Sequence, residues 1–284
     1  VTTILSIQSS VAYGHVGNSA ATFPLMRVGC EVWPVLTVHF SNNTSYPSKR
    51  GPLLRPEDVH EVVEGIDELG VLGRVDAVLT GYQGAPAMGA EILRVVERVK
   101  QANPAAIYCC DPVMGDVGRG MYVLPGIPEF VRDHVVAAAD VLTPNHFELN
   151  FLTGRDATTL PEVLEAADAL RAAGPDVVLV TSVVVDGADP DTVMMVAVTD
   201  AGAWSVTTPL LGRTFTGSGD LTAAMFLAAL LETGSPEQAV GQTADIVYSV
   251  LERTTDLDQR ELALVAAQED LVAPRFGFEV SRLR

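Results

Sequence analysis

The sequence predicts an α/β fold, with a mainly parallel central sheet flanked by helices on both faces and closed by an antiparallel edge. Three observations carry this. Short apolar strands alternate with amphipathic helices through residue 173. Three strand-like runs then follow one another with no helix between them, and polar, glycine-containing motifs recur just after the strands. Alternation on this spacing implies parallel strands joined by crossover helices.

Thr3–Gln8 is a short apolar strand, followed by the turn Tyr13-Gly14-His15-Val16-Gly17 and a helix from Asn18 to Val28. A second strand covers Glu31–Val38. The long segment after it is rich in Ser, Asn, Pro and Gly. A loop of that length in a compact domain is a lid or an insertion, and residues 39–55 are assigned to a lid. Helix 56–69 opens with Pro56 and carries Val59, Val62, Val63, Ile66 and Leu69 on one stripe. Val75–Thr80 is a strand, and Pro86–Ala102 is a helix with Ile92, Leu93, Val95, Val96 and Val99 on one side. Strand 105–110, helix 128–138, strand 139–143 and helix 160–173 continue the alternation. Val177–Val185, Thr192–Thr199 and Ala203–Thr208 form the antiparallel edge, turning at Gly187-Ala188-Asp189-Pro190 and at Asp200-Ala201-Gly202. Helices near 219–233, 236–255 and 259–271 follow. With no internal repeat, low-complexity tract or linker, residues 1–284 read as one domain.

Composition excludes several classes of function. The chain has 18 Lys and Arg against 36 Asp and Glu, a net charge of −18, so a nucleic-acid duplex or an anionic membrane surface repels it. No apolar run approaches the roughly 18 residues of a spanning helix. The N-terminus has no basic region or small-residue cleavage site, so a cytoplasmic protein is expected. Cys30, Cys109 and Cys110 offer neither a disulfide framework nor a C-x-x-C zinc spacing. Lys49 and Lys100 are the only lysines and neither follows a glycine, which removes the G-x-x-x-x-G-K-[ST] phosphate loop. No G-x-S-x-G elbow or H-E-x-x-H helix is present.

The sharpest motif is Thr216-Gly217-Ser218-Gly219-Asp220, directly before an apolar helix. Glycines at a helix N-terminus let backbone amides converge on an anion, and Asp220 beside them suits a base next to a transferring phosphoryl group. Asp111-Pro112-Val113-Met114-Gly115-Asp116 and Pro144-Asn145-His146-Phe147-Glu148 each follow a strand, where ligands of open α/β sheets bind. Asp111 and Glu148 are carboxylates of the kind Mg²⁺ prefers. Ser9 and Ser10, Ser41-Asn42-Asn43-Thr44 and Gly81-Tyr82-Gln83-Gly84 fall at the same edge, and their hydroxyls with one tyrosine suit a small planar heterocycle. Each motif also has a plain structural explanation. Gly217 and Gly219 make a tight turn with Asp220 as a first-turn acid, Asp111-Pro112 starts a turn, and Asn145 caps the helix that carries Glu148.

The segments Ile4–Ser9, Tyr13–Ala20, Phe40-Ser41-Asn42-Asn43-Thr44, Thr80-Gly81-Tyr82, Asp111-Pro112-Val113-Met114-Gly115 and Gly217-Ser218-Gly219-Asp220, taken in order along nearly the whole chain, resemble the pyridoxal kinases of the ribokinase-like superfamily. The resemblance implies ATP-dependent phosphorylation of the 5′-hydroxymethyl group of pyridoxal, with hydroxymethylpyrimidine kinase or a non-catalytic pyridoxal or nucleotide sensor as the alternatives. It implies Asp220 as catalytic base and the Gly217, Ser218 and Gly219 amides as anion hole. Ser9, Thr44 and Tyr82, with Asp220, match the pyridoxal side. Asp111, Thr143, Asn145, Glu148, Thr181 and the strand exit Pro209, Leu210, Leu211 and Gly212 match the ATP side. Asp111 and Glu148 match the surroundings of Mg²⁺, and the family adds a monovalent cation such as K⁺ and a homodimer. Two positions depart from the pattern. His39 stands where relatives carry Gln, and Pro47-Ser48-Lys49-Arg50 replaces a glycine-containing lid.

Overall fold

In the computed structural model, which describes residues 1–284, the predicted alternation becomes a nine-stranded sheet. The first half runs β1 (Thr3–Val11), α1 (Asn18–Arg27), β2 (Glu31–Phe40), α2 (Pro56–Glu68), β3 (Ala77–Thr80), α3 (Pro86–Ala102) and β4 (Ile107–Cys110). A small hairpin follows, β5 (Gly115–Asp116) and β6 (Gly120–Met121), then α4 (Ile127–Phe130), α5 (Val136–Ala138) and β7 (Val141–Leu142). The second half is α6 (His146–Thr153), α7 (Leu160–Ala173), β8 (Val177–Val183), β9 (Thr192–Val198), β10 (Ala203–Pro209), α8 (Ser218–Thr233), α9 (Pro236–Asp256) and β11 (Val280–Arg282).

The strand order is β2-β1-β3-β4-β7-β8-β9-β10-β11. From β2 to β8 every pairing is parallel, and β9, β10 and β11 add the antiparallel edge. Chain order reverses between β1 and β3, and such a switch point opens a crevice beyond the carboxyl ends of the strands. Alternation within β1 serves two cores at once. Leu5 and Ile7 enter one buried cluster with residues of α2, α3 and α7, and Ile4 enters another with residues of α1, α8 and α9. Helix α8 is buried without interruption from Leu221 to Leu230, which accounts for its lack of a polar face.

The carboxyl end of β1 is opened by its own sequence. The β1–β2 register shifts between Gln8 and Ser10, and Asn18 Nδ2 fills the splay, lying 3.0–3.3 Å from the carbonyls of Ser6, Gln8 and Val35. Ser19 Oγ then holds both the amide and the carbonyl of Val11. The Asn18-Ser19 pair therefore anchors the strand end that presents Ser9.

Several elements differ from expectation. The segment 259–271 is not a helix. Its hydrogen bonds mix i−3 and i−4 partners, as in Ala267 to Ala263 and Asp270 to Ala267, while Leu262, Leu264, Ala267 and Leu271 are still buried. Apolar spacing was present there without a continuous ladder. The helix expected over 128–138 contains a π-turn at Val131–Val135. Strands β1 and β2 run to Val11 and Phe40, two to three residues further than the apolar runs suggest. The hairpin β5–β6 and the edge strand β11 leave no periodic signal in the sequence, because strands of two or three residues show no alternation. No helix is long and apolar enough to cross a membrane.

Candidate active site

The parallel strands deliver the predicted residues to one cavity of about 190 Å³. Ser9 comes from the end of β1, Tyr82 follows β3, Asp111 follows β4, Thr143 and Asn145 follow β7, and Thr181 lies in β8. Thr44 reaches the same wall from the segment after β2, Glu148 from α6, and Gly217, Ser218, Gly219 and Asp220 from the start of α8. Pro209, Leu210, Leu211 and Gly212 are not part of this wall. Leu210 is half exposed, and its amide is held by the Asp191 carbonyl at 2.7 Å, which keeps that stretch at the β9–β10 edge. Thr214, Phe215 and Thr216 of the same connection line the cavity instead.

The start of α8 leaves backbone amides unpaired at the cavity wall. The Ser218 amide bonds to the Phe215 carbonyl at 3.3 Å and the Leu221 amide to Gly217 at 3.0 Å, leaving the Gly219 and Asp220 amides without intrachain partners. Those free N–H groups and the helix dipole both favour a negatively charged ligand. Gly217 sits at φ +92°, and a Cβ there would fall 2.0 Å from the His15 carbonyl oxygen, so only glycine fits.

Three carboxylates face one another across the floor. Burial pushes Asp220 up to about 6, with the Gly17 amide beside it pulling the other way. Burial also pushes Glu148 up to about 7, against the amides of Met114, Asn145 and Gly115. Asp111 is raised well above the ordinary carboxylate range by burial, then by the charges of Glu148 and Asp220. Arg119 is the one basic side chain in the lining, and its guanidinium lies 4.9 Å from the centre of the Tyr122 ring. The hydroxyl of Thr143 is buried beside the Asp111 carboxylate. An oxygen-only, negatively charged donor set of this kind fits a hard divalent cation. No group of three or more His, Cys, Asp or Glu side chains forms a self-sufficient metal cage, so phosphate oxygens and water would have to complete the shell.

The cap explanation of Asn145 and Glu148 also holds. Asn145 Oδ1 accepts the Glu148 amide and Glu148 Oε2 accepts the Asn145 amide, both at 2.9 Å. Glu148 Oε1 accepts Met114 N at 2.7 Å and Gly115 N at 3.4 Å, clamping the loop in which Val113 adopts φ +34°. A β-branched residue there is strained and persists only when its surroundings hold it. Glu148→Gln replaces one acceptor oxygen by an NH₂ group aimed at a backbone N–H. We expect a loss of about 1–3 kcal/mol, read as a lower midpoint in thermal unfolding. An unchanged midpoint would remove the clamp.

Arg119, Tyr122, Ser182 and Phe215 line the cavity from outside the motifs singled out in the sequence, and Val16, Asn43 and Asp116 line it from within those motifs without having been assigned a role. Tyr122 and Arg119 arrive on the β5–β6 hairpin, and the Gly115…Gly118…Gly120 spacing was the available signal.

Comparison with known proteins follows the same line. The phosphomethylpyrimidine kinase family model matches residues 59–264. The chain is 56% identical over 281 residues to pyridoxal kinase PdxY of Rubrobacter xylanophilus, covering 99% of this chain and 97% of that protein. The structure resembles pyridoxal kinase from Leishmania donovani in complex with ADP and ginkgotoxin, with a TM-score of 0.94, 30% identity and full coverage of both chains. The same enzyme with ADP and pyridoxamine gives a TM-score of 0.93 at 29% identity, again over 100% of both chains.

Proposed function

As the chain belongs to the phosphomethylpyrimidine kinase family, with pyridoxal kinases as its near relatives, we propose that it is an ATP-dependent pyridoxal kinase of the ribokinase-like fold. It phosphorylates the 5′-hydroxymethyl group of pyridoxal, and of pyridoxine and pyridoxamine, in vitamin B6 salvage. The observation that carries this is the meeting, in one cavity, of the α8 anion site and Asp220 with Ser9, Thr44 and Tyr82. The enzyme is read as cytoplasmic and homodimeric.

Pyridoxal lies between Tyr82 and the Ser9 and Thr44 hydroxyls, so that its hydroxymethyl arm reaches Asp220. Tyr82 offers a half-buried ring that packs against the cluster of Val11, Val38 and Phe40. The nucleotide takes the Asp111, Thr143, Asn145 and Thr181 side, with its transferring phosphoryl group over the free Gly219 and Asp220 amides; the Ser218 amide, expected to join them, is taken by the Phe215 carbonyl. Asp111 and Glu148 would hold Mg²⁺, which when bound neutralises charge on the phosphates; the oxygens of Glu148 are already shared with three backbone amides, so Asp111 is the closer partner. Asp220, even at about 6, is too weak to make an alkoxide in advance, so it accepts the hydroxyl proton as the O–P bond forms. Segment 39–55 covers the ring side and keeps out water, which competes as acceptor.

The matching family model favours one second reading, a hydroxymethylpyrimidine kinase. Competition separates the two: purified enzyme with ATP, pyridoxal and hydroxymethylpyrimidine together is expected to consume pyridoxal first. Preferential loss of the pyrimidine would overturn the assignment. Tyr82→Ala is expected to raise the KM for pyridoxal several-fold to about tenfold, with the KM for ATP nearly unchanged. A rise confined to ATP would put Tyr82 on the nucleotide side.

A further inference from the structure

Glu261 stands outside the cavity wall and outside every motif above, yet its carboxylate joins two parts of that wall. Oε2 accepts the His15 backbone amide at 3.0 Å. Oε1 accepts Asn43 Nδ2 at 3.0 Å and the Tyr46 hydroxyl at 2.8 Å. The first partner belongs to the turn that leads into α1, and the other two belong to segment 39–55. Arg260 reinforces the contact, donating to the Ser45 carbonyl at 3.0 Å and lying 3.7 Å from the centre of the Tyr46 ring. The turn is shaped around this carboxylate: Gly14 is at φ +93°, and a Cβ on it would fall 2.1 Å from Glu261 Oε2. Asn43, buried, and its neighbour Thr44 both face the cavity.

We propose that Glu261 is a positioning residue for the ring substrate, latching residues 43–46 onto the 13–17 turn and thereby setting Thr44 and Asn43 in the pocket. This rests on the reading that pyridoxal binds against Ser9, Thr44 and Tyr82. One carboxylate that accepts hydrogen bonds from both segments fixes their separation, and bonds to a carboxylate are stronger than those to a neutral acceptor. None of the direct partners of the Glu261 carboxylate lies on β4, β7, β8 or α8, the elements that build the nucleotide side of the cavity.

The test measures KM for pyridoxal and for ATP, kcat and the thermal midpoint in the unsubstituted enzyme, Glu261→Ala, Tyr46→Phe and the double variant. Glu261→Ala is expected to raise the pyridoxal KM about tenfold, with the ATP KM within about twofold and faster tryptic cleavage at Lys49-Arg50. Tyr46→Phe deletes one oxygen from a partly exposed ring, so folding is not at stake. It should raise the pyridoxal KM less, and add almost nothing when Glu261 is already alanine. An unchanged pyridoxal KM, equal rises in both KM values, or fully multiplicative effects would overturn the latch while leaving pyridoxal turnover by the unsubstituted enzyme intact. Absence of that turnover would overturn the functional reading, and the latch with it.

Discussion

Asp220→Asn is expected to lower kcat by about 10²–10⁴-fold while leaving ATP affinity nearly unchanged. Asparagine keeps the shape of the side chain at the start of α8 but cannot take up the proton of the substrate hydroxyl. The free Gly219 and Asp220 amides that form the anion site belong to the backbone and remain. The pH profile adds a second signature. Burial pushes Asp220 up to about 6, and a base must be ionised to act. In the free enzyme kcat/KM should therefore fall as pH drops through that value, and this acid limb should be absent from the residual activity of the variant. Stability moves the other way. Because the folded-state value lies above the ordinary 3.8, this group's contribution to stability is fully present below that value and is lost as pH rises through about 6. At pH 8 the Asp220→Asn protein should thus melt higher than the parent, since a buried carboxylate that is ionised at that pH is gone. Turnover within a few-fold of the parent would remove Asp220 from the role of base.

Gly217→Ala should cost about 10²–10³ in kcat, by a different route. The residue is at φ +92°, and the new methyl group would lie 2.0 Å from the His15 carbonyl oxygen, a backbone atom with little freedom to move. Either the turn or the start of α8 must shift, and the amides that cradle the phosphoryl group shift with it. Backbone strain of this kind costs about 1–3 kcal/mol, so a lower thermal midpoint should accompany the loss of rate. The apolar body of α8, buried from Leu221 to Leu230, should keep the helix itself in place. A variant with parental kcat would show that the amide geometry at Gly217 does not matter for phosphoryl transfer.

The parts of this molecule that were legible in its sequence are those where local pattern and fold agree. Val59 and Val63 on α2 and Ile92, Val95 and Val99 on α3 became buried faces, whereas Val62 and Leu69 of the same α2 stripe are exposed; Ser9, Tyr82 and Asp111 were placed by the rule that chemistry sits beyond the carboxyl ends of parallel strands, and Thr143 by the resemblance. What escaped depends on contacts distant in sequence or on elements too short for a period. Arg119 and Tyr122 ride on a hairpin of two-residue strands. Glu261 gains its partners 215 to 246 positions away, across the whole fold. The segment 259–271 kept its apolar spacing but not its helix, because burial of Leu262, Leu264 and Leu271 constrains side chains and leaves the hydrogen-bond pattern open. Glu148 shows the limit of reading a carboxylate by position alone. It lines the cavity as expected, and it is at the same time a helix cap and the clamp on Val113.

The measurement that tests the central claim most directly is the stoichiometry of transfer from labelled ATP. With the γ-phosphoryl group labelled, purified enzyme and Mg²⁺ should produce one labelled pyridoxal 5′-phosphate for each ADP released, with little ADP formed when pyridoxal is left out. The label should sit on the 5′ oxygen. ADP release at an undiminished rate without pyridoxal, or label recovered only as inorganic phosphate, would contradict the account.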